Sequence, residues 1–86
     1  MKINGELILR EIAGESILIP VCETAQRLSG MITLTESGAL LWKRLQTECS
    51  EEELVDAVLE AYDTDRAAAQ ADVQAFLGQL RQLELL

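Results

Sequence analysis

The side chains able to do chemistry in this chain are few. It has no histidine, two cysteines (Cys22 and Cys49), one tyrosine (Tyr62) and fifteen Asp plus Glu. Without histidine the commonest general base, proton shuttle and metal ligand is missing, so Ser-His-Asp and Cys-His arrangements are excluded. The two cysteines are far apart and lack C-x-x-C spacing, so neither a zinc site nor a disulfide framework follows from them. No Lys, Arg or His stands close to either in sequence to lower a thiol pKa, which makes them ordinary thiols. A chain of this inventory, with no Gly-rich phosphate loop, is expected to bind rather than catalyse, with no metal and no cofactor. Reduced cysteines fit a cytoplasmic setting.

Charge narrows what it can bind. Seven Lys plus Arg stand against fifteen acids, for a net charge of −8. A nucleic-acid reader neutralises phosphates with cations, and this chain repels a polyanion, so nucleic acid is not an expected partner. No stretch approaches the ~20 apolar residues of a membrane span, and the first residues lack an apolar signal-peptide run, so no membrane partner is expected either. With 86 residues, 49% of them apolar, the chain reads as a single domain over residues 1–86 with one core. At that size a fold buries roughly 60–65% of the unfolded surface, so function must sit on an open face or in a shallow groove.

The elements that must build such a groove follow from periodicity. Glu6 to Ile12 and Ser16 to Val21 are rich in β-formers and flank Ala13-Gly14-Glu15, which predicts a hairpin. Pro20 cannot donate to a ladder, so the second strand must end, or meet an edge, there. Cys22 to Gly30 reads as a polar loop, and Met31-Ile32-Thr33-Leu34 as a third strand. Thr35 is an N-cap for a helix that carries Leu41, Trp42 and Leu45 on one side and ends near Thr47. Ser50 and Glu53 form a capping box ahead of a second helix with one apolar stripe, Leu54, Val55, Val58, Leu59 and Tyr62. Asp65 caps the last and longest helix, where Ala69, Val73, Phe76, Leu77 and Leu80 recur on one face. The fold class is therefore α+β, a three-stranded antiparallel sheet followed by three helices. Its packing is like that of a winged helix-turn-helix, although here the strands come first.

Several segments together carry a family resemblance: Ile17-Leu18-Ile19-Pro20; Gly30 to Ala39 running into Leu41-Trp42; Ser50 to Leu54; and Ala71 to Leu80. In this order they resemble the PqqD family, named for pyrroloquinoline quinone synthesis, over nearly the whole chain from about Glu6 to Leu86. The fold of that family also serves as the precursor-peptide recognition element of pathways that modify ribosomally made peptides. The resemblance implies that the leader segment of a precursor adds as an extra strand beside the third strand, in a groove whose other wall is the last helix. Gly30, Met31, Ile32, Thr33 and Leu34 would form the strand side, and Asp72, Val73, Phe76, Leu77 and Leu80 the helical side. The implied partners are the leader peptide and a modifying enzyme, such as a radical S-adenosylmethionine maturase or a peptidase and cyclase pair. A strand edge that accepts a guest can also pair with a second copy, so a homodimer stands beside these. The rival reading is an acidic winged-helix regulator or dimerising interaction domain that binds no leader.

Simple packing competes with the site reading at most of these positions. Phe76, Leu77, Leu80 and Trp42 are expected in the core, and Glu51-Glu52-Glu53 serves a helix N-terminus. Relatives often carry Gly where Glu84 stands; Glu is poorly suited to a left-handed C-cap, so the last helix is expected to fray or end differently.

Overall fold

The computed structural model describes residues 1–28 and 30–86; Ser29, assigned above to the loop before the third strand, lies outside the described residues. The elements run β1 (Leu7–Ile12), β2 (Glu15–Pro20), α1 (Cys22–Arg27), β3 (Ile32–Leu34), α2 (Glu36–Arg44), α3 (Glu51–Ala61) and α4 (Arg66–Gln82). The sheet is antiparallel in the order β1-β2-β3. Three strands ahead of three long helices match the expected class. The loop expected from Cys22 to Gly30 is a correction, because a helix of six residues occupies Cys22–Arg27. That helix has no side-chain cap. It is held from outside by Thr24, whose Oγ1 accepts from the Glu6 N–H at 2.8 Å, and by Arg27, whose guanidinium donates to the Leu83 carbonyl at 2.9 Å.

The hairpin turns on Ala13 and Gly14, both with positive φ (54° and 81°). Two such residues make the mirror-image turn that matches the twist of a two-stranded ribbon. The pair closing the turn is Ile12 with Glu15. Pro20, opposite Leu7, stands two residues beyond Leu18, the last β2 residue with a partner on β3, so its missing N–H breaks no ladder bond.

One face of the sheet meets the helices. Leu18 and Leu34 are buried there, with Leu7, Leu9 and Ile32 packed beside them. The helices contribute Leu41, Trp42 and Leu45 from α2 and its end, Leu54, Val55 and Val58 from α3, and Ala69, Val73, Phe76, Leu77 and Leu80 from α4. The predicted caps are in place. Thr35 Oγ1 accepts from Gly38 N at 3.1 Å, Ser50 and Glu53 bond reciprocally at 3.1 and 3.2 Å, and Asp65 Oδ1 accepts from Ala68 N at 2.8 Å. The first residues are laced into the helical layer by Ile3 N to Leu45 O and Asn4 N to Leu85 O.

The end of α4 differs from expectation. Glu84 takes the left-handed position itself (φ 59°), and Leu85 N donates back to Leu80 O at 2.8 Å. This closure satisfies the helix end and drops Leu85 into the core at 0% exposure. Burial of Leu85 holds a conformation that a non-glycine residue resists by about 1 kcal/mol. Glu84→Gly should therefore raise the urea midpoint by the equivalent of about 1 kcal/mol without changing the slope, and Ala13→Asn, giving an Asn-Gly turn, should stabilise by roughly 0.5–1 kcal/mol.

Candidate peptide-binding groove

Alternation along β2 decides which groups of β3 are free. In an antiparallel ladder, successive residues turn their N–H and C=O to opposite neighbours. Val21 N donates to Glu6 O at 3.0 Å, so residues 21, 19, 17 and 15 turn toward β1. Leu18 and Ser16 then turn toward β3, where they meet Ile32 and Leu34. Thr33, opposite Ile17, and Met31 before it direct their backbone groups away from the sheet. Among the described residues no hydrogen bond from outside the sheet reaches either one. Both are exposed, Met31 at 65%. Gly30, with φ 84°, precedes this edge and takes a left-handed turn into it.

The C-terminal end of this edge opens onto two adjoining depressions. One, of about 250 Å³, lies between the start of α2 (Thr35, Ser37, Gly38) and α4 (Asp72, Ala75, Phe76, Gln79). The other, of about 330 Å³, shares Thr35, Ser37 and Asp72 and is completed by Glu36, Val58, Tyr62 and Thr64. Gly38 makes the close approach possible. A Cβ there would stand 3.2 Å from Thr35 Oγ1 and 3.4 Å from the Phe76 ring. The two depressions are mixed in character, with apolar floors of Phe76 and of Val58 with Tyr62.

The structure separates the residues expected on the helical wall. Asp72 is exposed and borders both depressions, and Phe76, 7% exposed, floors one. Val73 and Leu77 at 0% and Leu80 at 1% are enclosed in the core and line neither depression. On the strand side, Ile32 is half-buried and Leu34 buried, so Met31 and Thr33 carry the open rim. Sequence reasoning missed Thr35, Glu36, Ser37, Gly38 and Tyr62 as groove residues. Thr35 and Gly38 carried a legible signal, a cap followed by a small residue in the first helical turn.

Other features offer little chemistry. A polar depression of about 560 Å³ lies at the Leu7–Pro20 end of the sheet, bordered by Glu6, Glu23, Arg27 and Glu84. No residue of β3 lines it. The exposed Cys22 thiol is pushed above its usual pKa, chiefly by its hydrogen bond to Glu6 and then by that carboxylate's charge. Cys49 is buried and its thiol donates to Arg44 O at 3.0 Å. Among the described residues no three His, Cys, Asp or Glu side chains gather to hold a metal ion, and no helix is long and apolar enough to cross a membrane.

An α+β domain with an open strand edge among its described residues, beside a helix-walled groove, has the geometry that strand addition uses. The coenzyme PQQ synthesis protein D (PqqD) family matches residues 15–86, and the chain belongs to that family. It is similar to the solved structure of TbiB1 in complex with the TbiA(beta) leader peptide. The two share 30% identity at a TM-score of 0.76, over 100% of this chain and 94% of that one. No curated protein sequence matches.

Core and rim separate by stability. Leu77→Ala should cost about 2–5 kcal/mol in urea denaturation, because the site cannot refill, whereas Asp72→Ala should stay within about 0.5 kcal/mol. Equal costs would place Asp72 in the packing rather than on a rim.

Proposed function

We propose that the chain is a peptide-binding adaptor: it holds the leader segment of a ribosomally synthesised precursor peptide and presents it to a separate modifying enzyme. The observation that carries this reading is the open side of β3, with Met31 and Thr33 turned outward beside the depressions under α4. An extended guest satisfies those outward groups with its own main chain, and its alternate side chains reach the depressions. Family membership and the likeness to a leader-peptide complex support the same reading. Its action is escort rather than catalysis. Holding the leader raises the local concentration of the attached core peptide at the enzyme without touching the reacting atoms. The enzyme is a radical S-adenosylmethionine maturase or a peptidase and cyclase pair. A cytoplasmic setting accords with free cysteines in a chain whose described helices do not span a bilayer.

Backbone shift mapping with the leader of the cognate precursor tests the groove. Amides of Met31 to Leu34 and of α4 near Asp72 and Phe76 should move. Shifts confined to α3 between Leu54 and Ala61 would place the peptide elsewhere. Thr33→Pro is the sharper variant, since it removes an outward N–H while the β2–β3 ladder runs through Ile32 and Leu34. The variant should keep its circular dichroism and lose about tenfold or more in leader affinity, as expected for one lost main-chain bond with added steric hindrance at the edge. Unchanged affinity would mean that the Thr33 N–H is not used.

A further inference from the structure

The groove's electrostatics say something about the guest beyond its being extended. Alternation places the guest residue that bonds to Thr33 with its side chain on the outer face of the sheet. Its two neighbours then point the same way as Ile32 and Leu34, into the helical side of the groove. The neighbour nearer Leu34 arrives at the paired depressions. Two carboxylates, Glu36 and Asp72, line them, and no Lys or Arg does. Neither carboxylate takes part in an ion pair or accepts a hydrogen bond among the described residues. Beside Asp72 the lining offers apolar surface among hydroxyl side chains, Phe76 in one depression and Val58 with Tyr62 in the other. A net charge of −8 adds a long-range field of the same sign.

A long side chain with an apolar stem and a cationic head matches that combination, and an acidic one is repelled by it. We propose, building on the leader-binding reading, that the groove selects a peptide with a Lys or Arg one residue from the position that bonds to Thr33, and that Asp72, supported by Glu36, is the specificity-determining residue. The stem lies over Phe76 or Tyr62 and the head pairs with the Asp72 carboxylate. Asp72 sits on the shared rim of both depressions, so it can meet the head in either one.

The test needs no knowledge of the natural precursor. The intact chain is panned against a displayed library of random linear peptides, and bound peptides are mapped by amide shifts. Enriched sequences should carry Lys or Arg at one fixed position and shift Thr33. Asp72→Asn should weaken them roughly tenfold, as for a charge-assisted bond at a partly open site, and the loss should shrink as salt is raised. Asp72→Lys should in turn favour the same peptide with its basic residue changed to Glu. Peptides that shift Thr33 yet show no basic position, or that bind Asp72→Asn equally, overturn the charge proposal and leave the edge reading intact. Peptides that bind while Met31 to Leu34 stay still overturn both. So does sedimentation showing a second copy seated in the groove that excludes peptides.

Discussion

An antiparallel strand has two hydrogen-bonding sides, and the structure turns on how β2 divides its own. The tight turn at Ala13-Gly14 sets β1 against one side, with Ile12 opposite Glu15, and every later residue of β2 inherits its direction from that pairing. Only Ser16 and Leu18 are left for β3, and only Ile32 and Leu34 answer them. Among the described residues no strand meets the far side of β3. A one-residue slip in the hairpin would reverse all of this. It would turn Leu18 to solvent, and Thr33 inward, so burial of Leu18 at 0% exposure protects the open edge as well as the core.

A lone short strand with a free edge would fray, so the rest of the chain has to hold it. Leu34 is anchored in the core, and one residue later Thr35 caps α2. Strand and helix are thus joined at a fixed angle without a flexible linker. Gly38 then lets α4 approach until Phe76 lies against the start of α2. The depressions exist because two rigid elements, β3–α2 and α4, meet at a residue with no side chain. Binding at such a place loses little entropy in ordering the host.

The parts of this arrangement legible in the sequence were those written over three or four residues. The caps at Thr35, Ser50 with Glu53, and Asp65 could be read because a cap and its target lie within one turn. The hairpin and the apolar stripe of α4 could be read for the same local reason. α1 could not. Cys22–Arg27 has a single buried residue, Thr24, and its support comes from Glu6 and from the Leu83 carbonyl, which lie far away in sequence. Glu84 misled in the opposite direction, since local preference argued against a left-handed residue while the distant burial of Leu85 required one.

The same limit explains why the helical wall was only half resolved. A stripe of Val73, Phe76, Leu77 and Leu80 shows that α4 has an apolar face, but the stripe spans more than a quarter of the helix circumference and does not say which margin meets the groove. Packing against α3 and α2 draws Val73, Leu77 and Leu80 inward. The margin left over is Phe76 with Asp72, one turn apart at i and i+4, an aromatic ring below a carboxylate. Asp72 takes part in no ion pair or hydrogen bond among the described residues, whereas Phe76 belongs to the core cluster that fixes α4 as well as to the floor of a depression. The helix thus holds itself through Val73, Leu77 and Leu80, shares Phe76 between core and groove, and leaves Asp72 as the exposed rim residue, where an exchange is expected to leave the fold as it is.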